Sequence, residues 1–359
     1  MTGILRLRGE SRWVFGLILM VAAAGIAAVI AGTSVGVPVW QVYFGYMRTI
    51  LVMAPVVALL IAVPVTAVAI IKGVDRPIQK CLDHFTTADG LSDGAVGTLG
   101  PILLMPLLMG AFGTFKQIMP LIAPFAWDDQ FAAFGQSLLM GHRPWELTHA
   151  VFGSPLATEI INAIYFIWLP LLFFSVFGFA TLAQRDVRAR FFVAYFMAWL
   201  LLGVVAAYLL SSAGPCYAAM IGASADFGPL MDRLNDIDAG GQMLGTMRWQ
   251  GELWRAYSEH RYGFGYGISA MPSMHNAMAF LYVLAMARSG ILMRAATWFF
   301  AVAILVASVH LGWHYLADGL VAWAGMAGVW WLAGRYLDWC GYSLPELTET
   351  AELPEALTV

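Results

Sequence analysis

The sequence predicts an all-α, polytopic membrane protein with about eight transmembrane helices. Three observations predict it. Of 359 residues, 60% are hydrophobic and only 11% are charged, against roughly 25% charged in ordinary soluble domains. The mean hydropathy is +0.75. Apolar runs of span length also recur along the chain, and a helix needs roughly 20 mostly apolar residues to cross a bilayer core. The net charge of −3 offers no basic surface for a nucleic-acid partner. Cys81, Cys216 and Cys340 are too far apart for metal-ligand spacing and read as free thiols.

The first run, 13–32, follows Arg6, Arg8 and Arg12. It is long enough to span and no small-residue cleavage site follows it, so it reads as a retained helix rather than a signal peptide. The second run, 46–71, leads into a basic loop, 72–94, and the third covers 95–115. Segment 116–155 is too polar and proline-broken to span. Phe125, Phe131, Phe134, Leu138 and Leu139 suit one face of an interfacial helix. That helix is either a lid on the bundle or a surface guiding lipid inward. Runs 156–183 and 191–211 come next, followed by a polar stretch, 212–271. The last three runs are 272–288, 294–312 and 314–335, the final two separated by a tight turn near Gly312. The chain ends in an acidic tail, 339–359, whose residues from 343 onward have the composition of a disordered end.

Orientation follows from Lys and Arg in short loops. Arg6/Arg8/Arg12, Lys72/Arg76/Lys80, Arg185/Arg188/Arg190 and Arg288/Arg294 alternate with loops poorer in basic residues. Eight spans with all four clusters inside leave both termini cytoplasmic. The expected location is the plasma (inner) membrane. Loops 116–155 and 212–271 then face the periplasmic or exoplasmic side, and His275 and His314 begin spans at that same face.

The chemistry concentrates in Pro272-Ser273-Met274-His275 and His314-Tyr315-Leu316-Ala317-Asp318. Proline suits a first helical position. The following N–H groups then face an anion along the helix dipole, and Ser273 adds a hydroxyl. Gly263, Gly265 and Gly267 let the backbone approach a ligand closely. His314 and Asp318, four residues apart, share a helical face. That pairing orients one imidazole nitrogen for attack on phosphorus, while His275 serves as acid and base. A structural hydrogen bond or a proton relay are the plainer readings of the same residues. His310, His314 and Asp318 recur every four residues like a metal face, but the turn near Gly312 breaks that face. Neither a metal nor another cofactor is expected.

The two motifs, with His314 falling 39 residues after His275, resemble the second and third signatures of the type 2 phosphatidic acid phosphatase superfamily. The closest resemblance is to its inositol phosphorylceramide synthase-like branch. The resemblance implies a six-helix catalytic core within residues 95–338, preceded by two N-terminal helices and a cytoplasmic loop, 1–94. It implies a metal-independent phosphohistidine mechanism in which His314 is the nucleophile, Asp318 its partner and His275 the acid/base. The superfamily's first signature is absent: Lys72 with Arg76-Pro77 has the wrong spacing and lies on the cytoplasmic side. Ala307-Ser308 stands where a Ser-Arg pair usually precedes the third signature, a departure the synthase-like branch shares. The stretch 211–217, ending in Tyr217, is similar to that branch's Pro/Tyr motif.

A transferred phosphoryl group needs cations. Lys116, Arg255 and Arg261 are the best-placed candidates among the outward-facing bases. Asp128 can hold such a base or meet a headgroup hydroxyl, and Tyr217 and His310 complete the expected substrate contacts. The expected partners are a lipid phosphate or phospholipid and a water, lipid or polyol hydroxyl acceptor. The residues do not choose between hydrolysis and transfer; the branch resemblance leans toward transfer, as in phosphosphingolipid or inositol phospholipid synthesis, with hydrolysis of phosphatidic acid or a polyprenyl (di)phosphate as the alternative. A proton-coupled transporter, or a relative that binds lipid phosphate without turning it over, are the rivals from other classes.

Overall fold

The computed structural model describes residues 9–76, 79, 86–87, 90–91, 93–242 and 244–342. Arg6, Arg8, Lys80, Cys81 and the tail from residue 343 lie outside the described residues. In chain order the helices are α1 (Glu10–Ser34), α2 (Val39–Ile71), α3 (Asp93–Ile122), α4 (Asp128–Leu138), α5 (Pro144–Val151), α6 (Pro155–Leu182), α7 (Arg185–Leu209), α8 (Gly228–Ile237), α9 (Gly245–Ser258), α10 (Met274–Ala285), α11 (Ile291–His310) and α12 (Leu316–Trp339). The described β-structure is one antiparallel ladder of two-residue strands, Thr86–Thr87 and Gly90–Leu91. Seven of these helices, α1, α2, α3, α6, α7, α11 and α12, are long and apolar enough to cross a membrane. The chain is an all-α integral membrane protein.

The expected sixth span is the exception. α10 has 12 residues, roughly 18 Å at 1.5 Å per residue, which is short of a ~30 Å hydrocarbon core. It packs against α7, α11 and α12, and Asn276, Ala277, Met278 and Leu281 are completely buried. A helix enclosed by other helices has no need to match the bilayer thickness, so α10 is a core element.

Two boundaries also differ from expectation. α2 begins at Val39 rather than 46. α3 continues past 115 through Lys116 and Pro120 to Ile122. Its polar groups are met locally: Gln117 Nε2 donates to the carbonyls of Gly113 (2.8 Å) and Gly263 (3.1 Å), and the Tyr208 hydroxyl donates to that of Phe115 (2.8 Å). Within the expected interfacial segment, α4 packs on α12. Phe131 faces inward and Phe134 and Leu138 outward.

One end of the bundle gathers charge. Glu10 and Arg188 form a buried ion pair at 2.7 Å. The indole of Trp13 (2.8 Å) and the hydroxyl of Tyr342 (3.1 Å) also donate to Glu10. Arg288 meets Asp186 nearby at 3.4 Å, and Arg190 donates to the Trp330 carbonyl. Arg188 is therefore a locked internal cation rather than the solvated loop charge that composition suggests. His275 and His314 lie at the opposite ends of α10 and of the α11–α12 hairpin.

Candidate active site

The α11–α12 turn builds the first half of the site. Gly312 adopts φ +72°, a conformation favoured by glycine. The N–H groups of Trp313 and His314 both donate to the Ser308 carbonyl, at 3.0 and 3.1 Å. α12 begins only at Leu316, with Tyr315 as its N-cap. His314 therefore precedes the helix, and the shared helical face expected for His314 and Asp318 does not exist. Capping geometry joins them instead. Asp318 Oδ2 accepts from the Tyr315 N–H at 3.0 Å, which turns the carboxylate toward His314 Nδ1 at 3.2 Å.

The second half comes from α10. Ser273 is its N-cap, so Pro272 sits one position before the cap rather than at the first helical position. The Ser273 N–H donates to the backbone carbonyl of Asp318 at 3.2 Å. Its hydroxyl accepts from Asn276 N (3.4 Å) and Nδ2 (3.1 Å). Ser273 is completely buried and holds the two motifs together instead of facing the cavity. Asn276 Nδ2 also donates to Ser308 Oγ at 3.2 Å, tying α10 to α11. Gly319 permits this closeness, since a Cβ there would sit 3.3 Å from Asn276 Cγ and 2.2 Å from Leu305 Cδ1.

His275 packs against two aromatic rings, Tyr165 at 4.6 Å and Trp168 at 4.0 Å between centroids. Its ring centroid is 6.0 Å from that of His314. Both histidines line one cavity of about 380 Å³ together with Lys116, Tyr165, Trp168, Tyr217 and Trp313. The glycine loop closes one side of it. Gly263 is held by both amide atoms of Gln117, and Gly267, at φ +100°, lies so close to Lys116 that a Cβ would be 3.0 Å from that residue's backbone. At Gly263 and Gly267 the glycines thus allow the chain to approach itself.

The remaining expected residues separate. Lys116 and Tyr217 reach the cavity. The Tyr217 hydroxyl donates to the Gln250 carbonyl at 3.0 Å, and burial raises the phenol's pKa. Arg255 and Arg261 do not line the cavity. Both pair with Glu252, at 3.3 and 3.0 Å. The Tyr266 hydroxyl and then these two cations hold the Glu252 carboxyl below its ordinary range. These arginines are committed to a surface ion cluster of residues close in sequence, with Glu252 three residues before Arg255.

Asp128 is likewise internal. It accepts from Ser212 Oγ, Ala213 N, Gly214 N and Tyr315 Oη at 2.8–3.1 Å, fastening the 211–217 stretch to the start of α12. A buried carboxylate with four donors is satisfied where it stands, and those donors are hydroxyls and backbone N–H groups rather than a base. His310 is turned away. Its ring stacks on His149 at 3.8 Å and its nitrogens meet Thr158 and Thr148. Among the described residues no group of three or more His, Cys, Asp or Glu is close enough to hold a metal ion.

Tyr165, Trp168 and Asn276 are site neighbours that the motifs did not single out. Asn276 carried a signal, being an amide directly after His275 in an apolar run, where unpaired polar groups are costly. Tyr165 and Trp168 carried none, because aromatic residues three apart on a span look the same whether they face lipid or protein.

Comparison with known proteins gives one match: the family model described as the PAP2 superfamily aligns with residues 129–332. No curated protein and no solved structure matches the chain.

Proposed function

The chain belongs to the PAP2 superfamily, and on that premise we propose that it is a lipid-phosphate phosphatase or phosphotransferase working through a phosphohistidine. The observation that carries this reading is the pairing of two imidazoles in one cavity, 6.0 Å apart, with His314 Nδ1 on Asp318.

Asp318 fixes the proton on His314 Nδ1 and leaves the Nε2 lone pair free. Nε2 attacks the phosphorus of a lipid phosphate and the ester P–O bond breaks. The departing alcohol oxygen takes a proton from His275, whose ring is held between Tyr165 and Trp168. A water or a second hydroxyl then attacks the phosphohistidine and gives its proton to His275. The P–N bond breaks and both histidines return to their starting state. Lys116 supplies positive charge to the phosphoryl oxygens.

The attacking hydroxyl decides the product: water gives hydrolysis, and a lipid or polyol hydroxyl gives transfer. Kinship with the inositol phosphorylceramide synthase-like branch rests on the 211–217 stretch and on Ala307-Ser308. In this reading residues 95–338 are the catalytic core, 1–94 an N-terminal addition and 339–359 a tail. Basic residues at the opposite end support a periplasmic or exoplasmic site with both termini in the cytoplasm.

The test is phosphate release from lipid phosphates by the detergent-solubilised protein, wild type against His314→Ala and His275→Ala. Turnover lost in both variants, with an acid-labile phosphoprotein formed by wild type and absent from His314→Ala, is the expected result. Equal turnover in all three ends the proposal.

A further inference from the structure

The cavity that holds the two histidines does not stop at them. From Lys116 it continues along α3 past Phe112 to Met105, 11 residues away in sequence and roughly 16 Å at 1.5 Å per residue. The walls of this arm are apolar, contributed by Ile50 of α2, Met105 and Met109 of α3, Leu172 of α6 and Trp199 of α7. Leu169, another wall residue, is 45% exposed on α6, a helix long and apolar enough to cross a membrane. An apolar channel that leads from a polar reaction site and opens between membrane helices matches a hydrocarbon chain whose phosphate end lies at the histidines.

One residue governs the width of this arm. α7 departs from α-helical geometry at Leu201–Ala206, a π-helical stretch of the kind that gathers at functional sites. Gly203 lies within it and lines the cavity. A Cβ there would sit 2.8 Å from the Phe112 ring and 3.4 Å from Met274 Sδ. The absent side chain lets Phe112 lie back against α7, where it packs edge-on to Trp199 at 4.6 Å. Any larger residue pushes Phe112 toward the channel.

We propose that the arm holds the hydrocarbon chain of the lipid-phosphate substrate and that Gly203, by seating Phe112, sets the length of chain accepted. The inference rests on the catalytic reading above and adds its specificity determinant.

Wild-type protein in detergent is compared with Gly203→Leu and with Ile50→Trp on the facing wall, using octyl phosphate and octadecyl phosphate. Turnover and thermal stabilisation by each lipid are both read. In both variants the ratio of kcat/KM for octadecyl over octyl phosphate is expected to fall by roughly tenfold or more, the scale of a reshaped apolar pocket. The stabilisation by octadecyl phosphate should fall with it, while octyl phosphate turnover reports a folded site. An unchanged ratio and unchanged stabilisation overturn the inference. If wild type turns over neither lipid, the catalytic reading fails, and the stabilisation by octadecyl phosphate, kept or lost in the variants, still decides the role of Gly203.

Discussion

The backbone N–H of Ser273 donates to the backbone carbonyl of Asp318 at 3.2 Å. This bond joins the starts of α10 and α12, so the two histidine-bearing motifs share one rigid corner. A histidine two residues beyond Ser273 and another four residues before Asp318 are thereby held with their ring centroids 6.0 Å apart.

Asp318→Asn keeps an oxygen for the Tyr315 N–H but can turn an amide toward His314 Nδ1, favouring the wrong tautomer. Phosphate release should drop at least about a hundredfold, as expected when an imidazole loses its orienting carboxylate. Circular dichroism and thermal melting should stay near wild type.

Lys116→Met removes the one cation of the three candidates that reaches the cavity. It should raise KM and lower kcat for lipid phosphates, by about tenfold or more in kcat/KM. Arg255→Ala and Arg261→Ala each break an exposed, solvent-screened pair that contributes little, and kcat/KM should stay within a few-fold of wild type.

Asn276→Leu leaves Ser308 and Ser273 without their amide donor inside the core. The loss of these two buried hydrogen bonds, about 0.5–1.5 kcal/mol each, should appear as a lower Tm in detergent, with turnover falling in proportion to folded protein.

His149, on α5 outside the spans, is held below its ordinary pKa of 6.5 chiefly by burial and also by Arg233, against the pull of the His310 carbonyl. The unfolded chain therefore binds the proton more readily than the folded one. Stability from this group is complete above about pH 6.5 and declines as pH falls below it. Melting scans between about pH 8 and about pH 5 should show that decline, and His149→Asn should flatten it.

Much of the bundle was legible because burying a helix in lipid demands long apolar runs, and these are visible whatever their neighbours. α10 misled for the same reason: an apolar run enclosed by protein looks like one that meets lipid. His314 and Asp318 were legible as a pair because their spacing is local. The means of their contact was not, since the capping role of Tyr315 depends on where α12 starts. Arg255 sits three residues from Glu252, a pairing legible in the sequence, whereas Ser273 and Asp128 differ from expectation for a common reason. Each has partners from other segments, and pairing across the chain leaves no trace in local composition.

The buried Glu10–Arg188 pair carries a cost in time. The two residues are 178 positions apart, and Tyr342, which also covers Glu10, lies 332 positions from it. A ribosome adding about 5–20 residues per second takes roughly 9–36 seconds to go from one member of the pair to the other. During that interval Glu10 lacks the guanidinium it meets in the folded bundle. Glu10 thus depends on partners that synthesis supplies only later, Arg188 with α7 and Tyr342 after α12.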